Sequence, residues 1–153
     1  IDGDHITGMV GPLGYCADVS RSFVCGPKAP TDEQRALYTA ATEQLGFNID
    51  LMKAGMSYRD YSEKSWQVPE EFWARRYNSV AHAVGMGNEW PLIYFPGDWP
   101  ADNLDGELQP DMVMAIESCI GREDGVECVK LEEMVLVTKN GCEVLTSFPF
   151  ETF

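Results

Sequence analysis

An α+β fold, with helices on one face of a curved and mostly antiparallel sheet, follows from three observations on this 153-residue chain. A strand hairpin comes first. Two capped helices follow it. Strand-like runs joined by tight turns then fill the second half of the chain.

The hairpin is MVGPLGYCADVSRSFVC at 9–25, with Gly11-Pro12-Leu13-Gly14 as its turn. Gly26-Pro27-Lys28-Ala29-Pro30 breaks it. Thr31 caps the first helix, and Gln34 three residues on completes a capping box. Leu37, Ala40, Ala41, Leu45 and Ile49 form its apolar stripe, and Gly55 is the natural stop. Ser57 caps a second helix with Tyr58, Tyr61 and Ser65 along one side, which ends before Pro69. Pro69-Glu70-Glu71 opens a short third helix through Arg75. Strands are expected at Ser79–Gly87, Met112–Ile120, Val126–Val137 and Cys142–Thr146. Turns are expected at 121–125 and at Lys139-Asn140-Gly141, and an exposed loop over the Pro-, Gly- and Asp-rich 95–111.

Composition narrows the function classes. The net charge of −14 repels phosphates and anionic lipid, so nucleic acid and membrane surfaces are not expected partners. No apolar run approaches the ~20 residues of a membrane span, and no signal peptide is visible. Cys16, Cys25, Cys119, Cys128 and Cys142 are odd in number and contain no CxxC pair. They read as buried free thiols in a reducing compartment, which fits a cytoplasmic protein. The chain starts at Ile1, close to a strand, and reads as part of a longer protein.

Four residues in apolar, strand-like settings carry the chemistry: Asp18, His82, Glu117 and Glu132. Singly, each has a plainer role. A lone Asp is commonly an edge carboxylate, and a lone His a hydrogen-bonded core residue. Glu117 follows Val113-Met114-Ala115-Ile116, where a carboxylate is costly to bury unless paired or metal-bound. Glu132 adjoins Glu133, a repulsion that a cation would relieve. Together they offer oxygen-rich ligation with one nitrogen, suited to pairs of iron, manganese, cobalt or zinc ions.

The segments GYCADVSRSF, AHAVGMG, QPDMVMAIES and GVECVKLEEMVLVT resemble the pita-bread metalloenzymes, which include methionine aminopeptidase, Xaa-Pro aminopeptidase, prolidase and creatinase. The resemblance runs from about residue 9 to residue 150, and makes 1–153 the C-terminal part of such a catalytic domain. It implies two divalent metals held by two aspartates, one histidine and two glutamates. Asp18 matches the second aspartate, His82 the histidine, Glu117 the first glutamate and Glu132, rather than Glu133, the last ligand. MVGPLGYCADVSRSF and HAVGMGNEWPLI are most similar to the dimethylsulfoniopropionate lyases built on this fold, which release dimethyl sulfide and acrylate by β-elimination. The spacing agrees, with 64, 35 and 15 positions between successive ligands. The substrate implied is a zwitterionic carboxylate or, on the peptidase alternative, a short peptide. A homodimer is common in the family. A third reading is a non-catalytic relative with a degraded metal site.

Two positions depart from the pattern. The lyases carry Asp-x-Asp just before Met-Val-Gly, where this chain has Ile6 and Gly8. If four residues are inserted there, Asp4 becomes the first ligand, 14 positions before Asp18. Otherwise the site is one ligand short. The peptidases follow the metal histidine with a His-Glu pair, where this chain has Asn88-Glu89. The lyases have an aspartate base at that point. Asn88 has no basic form near neutral pH, so either Glu89 serves as the base instead, or Asn88 tunes a different reaction, or the enzyme is inactive. Tyr77 matches a tyrosine near the lyase site. Trp66, Trp73, Tyr77, Trp90 and Trp99 are candidate faces for a sulfonium cation, with core packing as the alternative for each.

Overall fold

The computed structural model describes residues 5–10 and 12–151, with the backbone alone at 5–10, 12 and 88. The hairpin is β1 (His5–Val10) and β2 (Ala17–Ser22), joined through a 3₁₀ turn at Pro12–Gly14. Leu13 and Gly14 both turn through positive φ, at 57° and 83°. β2 stops at Ser22, short of the expected Phe23 and Val24.

Helix α1 (Asp32–Leu51) starts at the expected capping box. Thr31 Oγ1 accepts from the Gln34 N–H at 3.1 Å, and Gln34 Oε1 accepts from the Thr31 N–H at 2.9 Å. Leu37, Ala41 and Leu45 are buried, while Ala40 and Ile49 pack half-buried against the same core. The helix ends before Gly55. Its chain leaves at Met52 so that Ala54 and Gly55 can donate to the Thr138 and Leu108 carbonyls at 3.1 and 2.8 Å. Gly55 still serves the turn, at φ 82°. Ser57 caps α2 (Tyr58–Lys64), and Ser65 lies just past its end. α3 (Glu70–Trp73) closes before Arg75.

The remaining strands are β3 (Ser79–Val84), β4 (Asn88–Tyr94), β5 (Val113–Ile120), β6 (Val129–Thr138) and β7 (Gly141–Val144). β4 has no counterpart among the expected strands. The segment 88–94 carries no strand expectation, yet the strand lies at the sheet edge, where Pro91 costs no ladder bond. The 95–111 segment is more than an exposed loop, since Phe95 and Leu108 are buried. The expected start of β6 at Val126 is also corrected, because Val126 is fully exposed in the preceding turn.

Among the described residues the strands form one antiparallel sheet in the order β1-β2-β6-β5-β3-β4, with β7 paired to β6. Leu37, Leu45 and Tyr61 of the helices bury against Ile93, Ile116, Leu131 and Val135 of the strands. Because side chains alternate along a strand, the neighbours of those strand residues face the other way. On that second face stand Val84, Ala115 and Met134, and with them the four candidate ligands.

β2 and β6 share one register pair, Ser20↔Glu132. Arg21 reinforces this short seam. Its guanidinium donates to the Ser20 and Glu132 carbonyls at 2.9 and 2.8 Å and to the Phe148 carbonyl at 2.7 Å, and pairs with Glu133 Oε1. Both charged side chains are buried. Burial pushes the Glu133 carboxyl up, with Thr146 and Arg21 opposing it. Arg21→Met should therefore strand a buried carboxylate and cost about 3–5 kcal/mol in urea denaturation, whereas Arg21→Met with Glu133→Met should recover most of the loss. Equal losses for the single and double variants would contradict a buried ion pair.

Candidate metal centre

Three central strands and the inner hairpin strand supply the ligands. Glu117 of β5 and Glu132 of β6 are direct cross-strand partners. Ser20 of β2 stands opposite Glu132 on its other side, and Asp18 lies two residues before Ser20, on the same face. His82 of β3 faces Ala115, two residues before Glu117. Asp18, His82, Glu117 and Glu132 are all buried. Ligand atoms of Asp18, His82 and Glu132 converge within 4.8 Å of one another. Glu117 joins them through Oε1, 3.0 Å from His82 Nε2, while Glu132 Oε1 lies 3.3 Å from the same nitrogen.

The imidazole is oriented for ligation. His82 Nδ1 is 3.2 Å from the Ala83 carbonyl, so the proton at Nδ1 is committed there and the Nε2 lone pair faces the carboxylates. A lone pair against two carboxylate oxygens is repulsive unless a proton or a metal ion lies between them. The donor set therefore fits a divalent cation, with one imidazole nitrogen and carboxylate oxygens converging on one point. Burial pushes His82 down, but the hydrogen bond to Glu132, the Ala83 carbonyl and the charges of Glu132 and Asp18 outweigh it and raise its pKa above 6.5. Burial pushes Glu132 up, and His82, Lys130 and Ser20 more than reverse it.

Two residues at the site escaped the sequence reading. Ser20 Oγ donates to Glu132 Oε2 at 3.0 Å. Lys130 Nζ contacts Glu117 Oε2 and lies 3.8 Å from Glu132 Oε2. Strand alternation contains the signal for both, since each is two residues from a ligand on the same strand.

The other expected site residues sort by distance from this cluster. The Tyr77 ring lies under Lys130 Nζ, 4.7 Å from its centroid. Burial raises the Tyr77 pKa, as do the charges of Glu89, Glu132 and Asp18, so the phenol stays a donor. Glu89 is exposed and sits at φ 69°, where the β3–β4 register shifts between His82 and Val84. A bulge of this kind re-aims side chains beside active sites. The Asn88 backbone pairs with Val84 at the start of β4. Asp4 lies outside the described residues. In β1 the register sets Met9 opposite Asp18 and Thr7 opposite Ser20, so the described part of that strand brings no acid to the ligands.

Trp66 and Trp99 pack half-buried on the helix-side core, away from the ligand face. Trp73 stacks under Arg76 at 3.5 Å and meets Phe95 edge-on at 6.2 Å. Trp90, on β4, is exposed. Cys25 is exposed and the other four cysteines half-buried, so they are less buried than expected.

The raised His82 pKa sets a pH dependence. Protonated His82 stabilises the metal-free fold below its unfolded pKa of about 6.5, and that stability is lost as pH rises through the higher folded value. A metal ion needs the neutral ring. Melting of the metal-free protein should fall as pH rises above the unfolded value of about 6.5 and through the raised folded one, and the gain in Tm on adding Mn2+ should grow over the same rise. A pH-independent gain would remove His82 from the ligand set.

Similarity to known proteins agrees with the geometry. The metallopeptidase family M24 matches residues 5–139. The dimethylsulfoniopropionate lyase DddP of Roseovarius nubinhibens is 36% identical over 145 residues, covering 95% of this chain and 32% of the relative. The Xaa-Pro dipeptidase of Pyrococcus furiosus is 28% identical over 151 residues, covering 94% of this chain and 40% of the relative. This chain thus spans about a third of the length of the curated relatives it matches. Among solved structures, the X-Pro aminopeptidase of Thermotoga maritima superposes with a TM-score of 0.77 at 25% identity, over 97% of this chain and 40% of that one. The prolidase of Pyrococcus furiosus gives the same TM-score and identity over 96% and 42%. The pita-bread architecture expected from the motifs is the one found, and the chain belongs to metallopeptidase family M24.

Proposed function

We propose that this chain carries the metal-binding face of a divalent-metal-dependent lyase, which eliminates across the α and β carbons of a small zwitterionic carboxylate such as dimethylsulfoniopropionate. The convergence of Asp18, His82 and Glu132 supports the metal requirement. The higher identity to DddP than to the dipeptidases supports elimination over hydrolysis. So does Asn88-Glu89 in place of the peptidase His-Glu pair.

The divalent ion, drawn from iron, manganese, cobalt or zinc, would supply a Lewis acid for the substrate carboxylate and for the negative charge that develops as the α-proton leaves. Asp18, His82 and Glu132 hold it. Ser20 fixes Glu132 by its hydrogen bond, and the Ala83 carbonyl fixes the His82 ring. Glu89 accepts the α-proton, from a bulge beside the ligand face. The Tyr77 phenol donates a hydrogen bond to the substrate, and its ring offers an apolar face to the sulfonium. The two-ion centre implied by the motifs turns on Glu117 and Asp4.

The reading is tested on the full-length protein. Loaded with metal, it should release dimethyl sulfide into the headspace from dimethylsulfoniopropionate and leave Xaa-Pro dipeptides intact. Glu89→Gln should lower kcat by about 10²-fold or more, with metal content unchanged. Dipeptide hydrolysis without sulfide release would establish the peptidase alternative. Neither activity in metal-loaded protein would leave a non-catalytic relative.

A further inference from the structure

The two oxygens of Glu117 have different partners. Oε1 lies 3.0 Å from His82 Nε2, and Oε2 is in contact with Lys130 Nζ. The ammonium reaches it because Glu117 pairs with Glu132, which puts Lys130 diagonally across from Glu117 on the same face. Lys130 is held there. Its side chain is 17% exposed, the Tyr77 ring covers it, and Glu132 Oε2 is 3.8 Å away. The ligand atoms that converge within 4.8 Å come from Asp18, His82 and Glu132, without Glu117.

Charge points the same way. Among the buried described residues, Asp18, Glu117 and Glu132 bring three negative charges beside a metal-bound, neutral imidazole, while Glu89 stands exposed to solvent outside that count. One divalent ion with one ammonium balances them. Two divalent ions with the ammonium would leave an excess of two positive charges in a buried site, at a high cost. β1 supplies no acid opposite Asp18 or Ser20 to offset it.

We infer that the site holds one divalent ion, on Asp18, His82 and Glu132, and that the Lys130 ammonium takes the place of a second cation against Glu117. This rests on the metal reading above. Removing the ammonium frees Glu117 Oε2 and opens the site to a second ion. Lys130→Arg keeps the charge and keeps the second ion out.

Manganese titration of the full-length protein, read by calorimetry and by electron paramagnetic resonance, tests it. Wild type should bind one Mn2+ tightly, with the six-line spectrum of an isolated ion. Lys130→Met should gain a second Mn2+, or tighten a weak second site at least about tenfold, and its spectrum should show coupling between the ions. Lys130→Arg should bind one. Two tight ions in wild type, or a Lys130→Met isotherm matching wild type, would overturn the inference while leaving the metal reading standing. No tight ion in wild type would overturn both. If Lys130→Met does not fold, wild-type stoichiometry together with Lys130→Arg still decides.

Discussion

Glu117 and Glu132 face one another across adjacent strands, and Asp18 closes on them from a third, with every one of these carboxylates buried. Two unit charges 4 Å apart repel by roughly 4 kcal/mol at the effective dielectric of a protein near its surface, and three do worse. A sheet does not gather such groups unless positive charge is gathered with them. Here it comes from Lys130, together with either a protonated His82 or the ion for which the donor set is suited. The interior strands follow from that requirement. Their ligand face is polar at Asp18, Ser20, His82, Glu117, Lys130 and Glu132, while their opposite face, apart from the Arg21–Glu133 pair, is largely apolar and receives α1.

The same requirement explains Arg21. Bringing Asp18 to Glu132 depends on the β2–β6 seam, which has a single register pair. Backbone pairing alone would leave that seam loose. The guanidinium ties the Ser20 and Glu132 carbonyls together from the opposite face and fastens 148–150 over itself, with the Phe150 ring 4.1 Å from its centre. Glu133, next to a ligand in sequence but opposite in direction, is the counter-ion of this clamp. The adjacent pair Glu132-Glu133 thus serves two faces, one for chemistry and one for assembly.

Much of this was legible in the sequence, for identifiable reasons. α1 was readable because its capping box and its apolar stripe are both local patterns. Asp18, His82, Glu117 and Glu132 could be singled out because each sits in a short motif of its own, and the sheet brings them to one face. β4 was hidden because Pro91 and the polar residues before it carry no strand signal, and only the sheet edge makes a strand of them. Lys130 and Ser20 were hidden because a lysine or serine on an exposed-looking strand has many uses, and only register shows what lies across from it. The tryptophans were ambiguous for a related reason. Composition counts aromatic rings, but the side of the sheet each one takes depends on tertiary packing.

The departures from the family pattern lie at the two edges of the sheet. Ile6 and Gly8 are in β1, Asn88 and Glu89 in β4, and the order β1-β2-β6-β5-β3-β4 makes these the outer strands. The four candidate ligands lie on the four strands between them. An interior strand is fixed in register by both neighbours, so a shift of one residue would turn its buried charges to the wrong face. An edge strand has one neighbour and accommodates a bulge, an insertion or a changed side chain at lower cost. Glu89 occupies such a bulge, at a left-handed φ that a glutamate rarely adopts. On the proposed function, the centre of the sheet would set where a cation binds, and the edges which second charge and which base surround it. Chemistry can therefore diverge between hydrolysis and elimination while the metal face stays in place.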